Sequence, residues 1–211
     1  NMVDGVIVNS LNIGAEAYAE MGLSLVGIDC DLGETSVQIA SDSYGIGELA
    51  TRRLIDDGCS RILCLRNNSR MRMPANKRTD AYHDIVEQAG LPALVREVEF
   101  VKSDDEKSAV VAKILDENPD IDGIFAGDDT MAAICLNVMK RRGLSAPDDI
   151  KVVGADGARR TMTFMPDLTT VRQDIDRIGE LAAQSIIALV NGEKPESNTK
   201  LPVELIEGKT A

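Results

Sequence analysis

Short runs rich in Val, Ile and Leu alternate with segments of helical period almost from end to end of this 211-residue chain. Such alternation is the sequence form of a parallel sheet covered by helices. Strands are predicted over residues 3–8, 24–28 and 37–40, with a helix over 14–21 between the first two. Over 46–57 the apolar positions Ile46, Leu49, Ala50 and Leu54 fall on one helical face, and Gly58 supplies the left-handed residue at which a helix stops. A strand at 62–65 follows at once. The cycle repeats with a helix over 75–89 closed by Gly90, a strand at 97–101, a helix over 108–117, a strand at 123–126, a helix over 130–142 closed by Gly143, and a strand at 151–155. Between 157 and 167 the alternation lapses. It resumes with a strand at 168–171, a long amphipathic helix over 175–190 ending at Gly192, and a closing strand at 201–206. In the long helix Ile178, Leu181, Ala182, Ser185, Ile186 and Leu189 share a face.

Parallel strands joined by crossovers place their ligand crevice beyond the strands' C-terminal ends. The polar residues there are few: Asn9 and Ser10, Asp29, Asn67 and Asn68, Asp128 and Asp129, and Asp156. An ordinary α/β domain also caps its helices with Asp, Asn and Ser at these positions, so each one is open to a purely structural reading. Their shared position is what draws attention.

Composition narrows the choice. With 44% apolar residues the chain can bury a proper core, and its length suits one large domain or two small lobes. No apolar stretch reaches the roughly 18 residues of a membrane span. Lys and Arg number 23 against 35 Asp and Glu, a formal net charge of -12, which repels a phosphate backbone; this segment alone is not expected to hold DNA. Cys30, Cys59, Cys64 and Cys135 stand singly, without the CxxC pairs of zinc ribbons or redox sites, and are expected as free thiols, mostly buried, in a reducing cytoplasm. Gly45-Ile46-Gly47-Glu48-Leu49-Ala50 matches GxGxxA, but Leu65-Arg66-Asn67 lacks the acid that would hold a ribose, so a dinucleotide fold is not expected. The single histidine, His83, lies among Asp80, Asp84 and Glu87, with neither a nucleophile elbow nor metal-ligand spacing, and reads as a solvated helix residue. The parts for covalent or metal-assisted catalysis are missing, so no enzyme, cofactor or metal is expected.

VDGVIVNS, LSLVGIDCD, SDSYGIGELATRRLIDDGCSRILCL, KRTDAYHDIVEQAGL, DDTMA, PDDIKVVGAD and DLTTVRQD, in that order, resemble the effector core of lactose-repressor (LacI/GalR) type transcription regulators. VDGVIVNS is similar to the family's first strand in this region and LSLVGIDCD to its next. SDSYGIGELATRRLIDDGCSRILCL and KRTDAYHDIVEQAGL follow the patterns that usually come after. The most specific are DDTMA, PDDIKVVGAD and DLTTVRQD, closing on LPVELIEGKT. The resemblance covers nearly the whole chain. It implies a two-lobed, periplasmic-binding-protein-like type I fold, with 1–41 and 172–200 in a partial N-terminal lobe and 42–171 and 201–211 in the C-terminal lobe. The helix-turn-helix head is expected to be missing from this chain.

The resemblance also implies a site. Its effector contacts fall on Asn9 and Asp29 in the first lobe, on Arg78, Asp128 and Asp156 in the second, and on Gln173 beside a crossover. These types suit a polyhydroxyl ligand such as a sugar, because carboxylates accept hydroxyl protons while a guanidinium offers a planar fork of donors. The alternatives are a surface salt bridge for Arg78 with Asp80 or Asp84, and helix caps for Asp29 and Asp156. Asp128 stands where the family usually has Asn, and no aromatic occupies the region of Ser103 to Asp105, where the family often stacks one on the ligand. Met131, Ala133 and Phe164 fall where family members pack two cores into a homodimer. The function implied is effector sensing that modulates operator binding, with the effector between the lobes; the alternative is a periplasmic sugar-binding protein of a transporter. Cys59 in place of the family's His, and a tail without its usual Arg, are departures.

Overall fold

In the computed structural model the described residues are 3–9, 22–30, 32, 36–68, 75–99 and 101–211, without the side chains of Asn67 and Asn68. Ser10 and the helix predicted over 14–21 lie outside them. The chain divides into two compact units, one drawn from the described residues of 1–43, 73–75 and 174–202, the other from those of 44–72, 76–173 and 203–211.

The first unit holds a parallel sheet in the order β1 (Gly5–Asn9), β2 (Ser24–Ile28), β3 (Val37–Ser41) and β9 (Asn198–Leu201). The helix α6 (Ile175–Val190) lies along it, started by Asp174, whose Oδ1 accepts the Arg177 N–H at 3.0 Å. Ile178 and Ala182, from the predicted apolar face, pack with Val26, Val37 and Ile39. A Cβ on Gly5 would meet Ile186 Cδ1 at 2.7 Å, so α6 packs close over β1 there.

The second unit is a six-stranded sheet in the order β10 (Val203–Ile206), β8 (Thr169–Gln173), β7 (Lys151–Asp156), β6 (Gly123–Ala126), β4 (Ile62–Asn68) and β5 (Leu94–Glu99). Its strands are parallel except β10, which runs antiparallel to β8. The helices are α1 (Ser43–Asp56), α2 (Asn76–Gln88), α3 (Asp104–Glu117), α4 (Asp129–Arg141) and the short α5 (Arg159–Phe164). Alternate residues of the central strands enter two different cores. Leu63, Leu65, Ile124, Ala126 and Val152 join a cluster built with α3 and α4. Ile62, Cys64, Phe125, Val153 and Ala155 join another built with α1 and α2. Both faces are thus buried, which is why these strands read as unbroken apolar runs.

Helix ends follow the sequence signals. Gly58, Gly90, Gly143 and Gly192 all have positive φ, the conformation a side chain resists. Ser103 and Glu106 form a reciprocal capping box, so α3 begins four residues before the predicted start and Ser103 is a helix cap.

Three expectations need correction. The closing strand over 201–206 is two strands in different sheets: Pro202 has no N–H for a ladder, and the chain leaves β9 there to begin β10. The strand predicted at 97–101 lies at Leu94–Glu99, set by pairing with β4 rather than by local propensity. The lapse over 157–167 contains α5. The tail, despite its unusual residues, is well held: Thr210 accepts the Thr169 N–H and donates to the Val152 carbonyl, and Arg53 donates to Glu207 and to the Ala211 carbonyl.

Tyr82 is fully buried on α2 and ties two strands together. Its hydroxyl donates to the Ile62 carbonyl at 2.7 Å and accepts the Leu94 N–H at 2.8 Å. Replacing Tyr82 by Phe strands that buried amide and carbonyl, and is expected to cost about 1–3 kcal/mol in urea unfolding. An unchanged midpoint would show that water replaces the hydroxyl.

Candidate functional site

In the second unit the polar groups gather at the C-terminal ends of the central strands. Asp156 is the last residue of β7, Gln173 the last of β8, and Asp128 lies two residues beyond β6. Arg78, from α2, reaches the same place. Its Nη2 donates to Asp156 Oδ1 at 3.0 Å, and Nη1 donates to the Gly127 carbonyl at 2.5 Å. Gln173 Nε2 donates to the same Asp156 oxygen at 2.6 Å. Arg78, Asp156 and Gln173 are therefore brought together as one constellation, with Asp128 close enough to act on Asp156 through its charge.

The alternative readings separate here. Arg78 is not a surface ion pair: its side chain is only 12% exposed, while Lys77 takes Asp80 and Tyr44 takes Asp84. Its Nε is buried with no acceptor among the described residues. Asp156 is not a cap, because the N-cap of α5 is Ala158, with no side-chain cap bond. Asp128 does cap α4, its Oδ1 accepting the Met131 N–H at 2.7 Å. Asp129 is the residue whose place sequence reasoning missed. It is buried, its Oδ2 accepts the Gly157 N–H at 2.8 Å, and its Oδ1 accepts from Thr170 Oγ1 at 2.6 Å.

Electrostatics follow from burial. Desolvation raises the Asp156 carboxyl above the usual range, the Arg78 guanidinium opposes that rise, and the negative charge of Asp128 adds to it. Burial pushes Asp129 up to about 6, with the Thr170 hydroxyl working against it and Asp156 with it. Cys64 and Cys135, fully buried free thiols, are pushed up to about 12 by burial, which disfavours the thiolate; Cys59 rises to about 11 for the same reason.

In the first unit Asn9 ends β1 and Asp29 follows β2, at the same edge of their sheet because Asn9 pairs with Ile28. The Asp29 N–H donates to the Ile39 carbonyl at 3.0 Å, and its Oδ1 accepts the Ser41 N–H at 3.4 Å. Among the described non-glycine residues, Asp29 (φ 49°) and Asp156 (φ 110°) are the two with positive φ. Such conformations cost about 1–3 kcal/mol and persist where the surroundings impose them, commonly at binding sites.

The GxGxxA segment lies inside α1 rather than in a turn before it, and Gly47 has a packing reason: a Cβ there would overlap the carbonyl of Arg78. His83 is exposed, its ring inclined at 66° to that of Tyr82 with a centroid distance of 5.6 Å. Of the residues expected at a dimer contact, Met131 is only 3% exposed and sits in the core, because its position on α4 faces the sheet. Ala133 is half-buried and Phe164 is 76% exposed. No helix among the described residues is long and apolar enough to cross a membrane.

Polar groups are thus collected at the C-terminal ends of parallel strands, around a doubly held carboxylate, the edge at which open α/β sheets place their crevice. Residues 51–211 match the family described as periplasmic binding protein-like domain, and the chain belongs to that family. Over its full length it is 32% identical to the sucrose operon repressor of Pediococcus pentosaceus, and over 99% of it 30% identical to the ribose operon repressor of Halalkalibacterium halodurans. It spans 65% and 62% of the length of those two proteins. A solved complex of the transcriptional regulator CelR with cellobiose superposes on the whole chain with a TM-score of 0.88 at 28% identity, the chain covering 66% of that one. The relatives are thus sugar-operon repressors and regulators of the lactose-repressor kind, and the predicted α/β, periplasmic-binding-protein-like fold is borne out.

The raised Asp129 has a consequence for stability. The fold favours its neutral form, so as pH rises from about 4 the unfolded chain ionises first, and stability is lost until pH passes about 6. Relative to Asp129→Asn, which cannot ionise, the native chain is expected to lose on the order of 3 kcal/mol between pH 4 and pH 7. Urea unfolding of both at the two pH values checks this; a constant difference would mean that Asp129 titrates normally.

Proposed function

We propose that this chain is the effector-sensing core of a sugar-responsive transcription regulator. The observation that carries the reading is Asp156: a left-handed carboxylate whose Oδ1 is held by Arg78 and Gln173 while a third of its side chain stays exposed. Both protein donors converge on one oxygen, so Oδ2 is the acceptor offered to a ligand hydroxyl. Arg78, Gln173 and Asp128 complete the polar rim in the second unit, and Asn9 and Asp29, at the edge of their own sheet, are the residues proposed for ligand contact in the first. The two units stand for the two lobes of the effector core. The names of the curated relatives favour a regulator over a transport protein and over an enzyme.

In this reading the protein works in the cytoplasm as a homodimer, and ligand binding alters its grip on operator DNA. The DNA is held by a part of the protein outside these 211 residues, because the segment carries a net charge of -12. Binding is expected to shift an equilibrium between two conformations by its differential affinity for them.

Cellobiose, sucrose and ribose are the first ligands to try, by thermal shift and calorimetry. One of them is expected to stabilise the protein, by about 2.7 kcal/mol at 100 times its dissociation constant, and Asp156→Ala is expected to weaken it about tenfold or more. Binding that ignores the Asp156 substitution, or a panel without any binder, would sink the reading.

Self-association is proposed to involve Phe164, with Ala133, since an aromatic ring 76% exposed on α5 favours burial against a second copy. Sedimentation should show a dimer at micromolar concentration that Phe164→Asp shifts to monomer. A dimer indifferent to that change places the interface elsewhere.

A further inference from the structure

The best-buried acid of the second unit belongs to no ligand contact, yet it joins three elements at the site. Asp129, 3% exposed at the head of α4, receives the Gly157 N–H from the turn after β7 and the Thr170 hydroxyl from β8. Gly154 on β7 makes room for it: a Cβ there would stand 2.5 Å from Asp129 Oδ1. Burying a carboxylate is costly unless donors are aimed at it, and here one donor sits on each oxygen.

Gly157 is the residue after Asp156, and both have positive φ, at 57° and 110°. A pair of successive left-handed residues must be over-determined by its surroundings to persist. On the side chain the restraint is Arg78 and Gln173; on the backbone it is the bond from Gly157 to Asp129. A substituted Gly157 would also run into Arg172, with a Cβ 2.8 Å from its Cα, so the turn has little freedom to relax.

We infer that Asp129 is a positioning residue for the effector site: by anchoring the Gly157 amide and Thr170, it sets the left-handed turn that aims Asp156 at the ligand. It touches no effector itself. This rests on the reading of Asp156 as an effector contact. The same turn leads directly into α5, so the anchor also fixes where the helix bearing Phe164 begins.

The groups facing Asp129 are few. Asp128 on its own helix and Asp156 on β7 are acids that oppose its ionisation, while Thr170 on β8 and the Gly157 amide favour it. Arg78 on α2 reaches Asp156 and the Gly127 carbonyl. In Asp129→Asn the amide oxygen can still accept the Gly157 N–H, and the amide nitrogen can donate to a Thr170 hydroxyl turned to accept.

Amide NMR of the 211-residue chain, followed from pH 4.5 to 8, reads the anchor without any ligand. The Gly157 amide proton is expected to shift with an inflection near pH 6 as its acceptor carboxylate gains a proton, and Asp129→Asn is expected to remove that inflection. A Gly157 amide that does not titrate, or that titrates equally in Asp129→Asn because it senses Asp156, overturns the inference. At pH 7.5, with cellobiose, sucrose and ribose as probes, Asp129→Ala should bind about tenfold more weakly or worse, and Asp129→Asn should restore affinity to within about threefold. Asp129→Ala binding within twofold of the native chain also overturns it. Should Asp129→Ala not fold, the native titration and Asp129→Asn still decide. If no probe binds, or if Asp156→Ala binds as the native chain does, the sugar-sensing reading fails, and the Gly157 titration independently decides whether Asp129 holds the turn.

Discussion

The bond between Arg78 and Asp156 spans 78 positions of sequence and ties a helix on one face of the sheet to the end of a central strand. Much of the site depends on it. Arg78 is nearly buried, and a guanidinium so placed is tolerable only because a carboxylate and a carbonyl receive its protons. Asp156 in turn holds a left-handed conformation that its neighbours must enforce. Gly47 on α1 belongs to the same arrangement, since the close approach of α1 to the Arg78 backbone fixes the root of that side chain.

The sheet explains why the polar groups meet at all. The central parallel strands β4, β6 and β7 of the second unit are apolar on both faces, so side chains that need water or polar partners are pushed to the strand ends. At the C-terminal edge the helix starting after β6 is capped by Asp128, and beside the cap Asp129 is drawn inward by Thr170 and the Gly157 amide. Two adjacent aspartates thus take opposite roles. One faces the site and the head of its helix, and the other is buried beneath the turn.

Much of this is legible in the sequence. The strand and helix order, the glycine stops, the buried free thiols and the single solvated histidine follow from period and composition. The family motifs picked out Arg78, Asp156 and Gln173, and in the structure Arg78 and Gln173 both donate to one oxygen of Asp156. Asp129 was visible only as one polar residue at a strand end. Its partner Thr170 is 41 positions away, so no local signal marked it as buried. Met131 was misjudged for a related reason: motif position indicates which helix a residue occupies, not which of its faces turns to the sheet.

What the amino-acid order determined by itself is local. It set which segments prefer helix or strand, where glycine and proline end them, and which side chains can accept or donate protons. What only the tertiary structure decided is which of those groups are deprived of water together. Pro202 divides one apolar run between two sheets because the two ladders compete for it. Arg78 ignores the acids next to it in sequence for one on a distant strand, since burial makes that single bond worth more than any exposed pair.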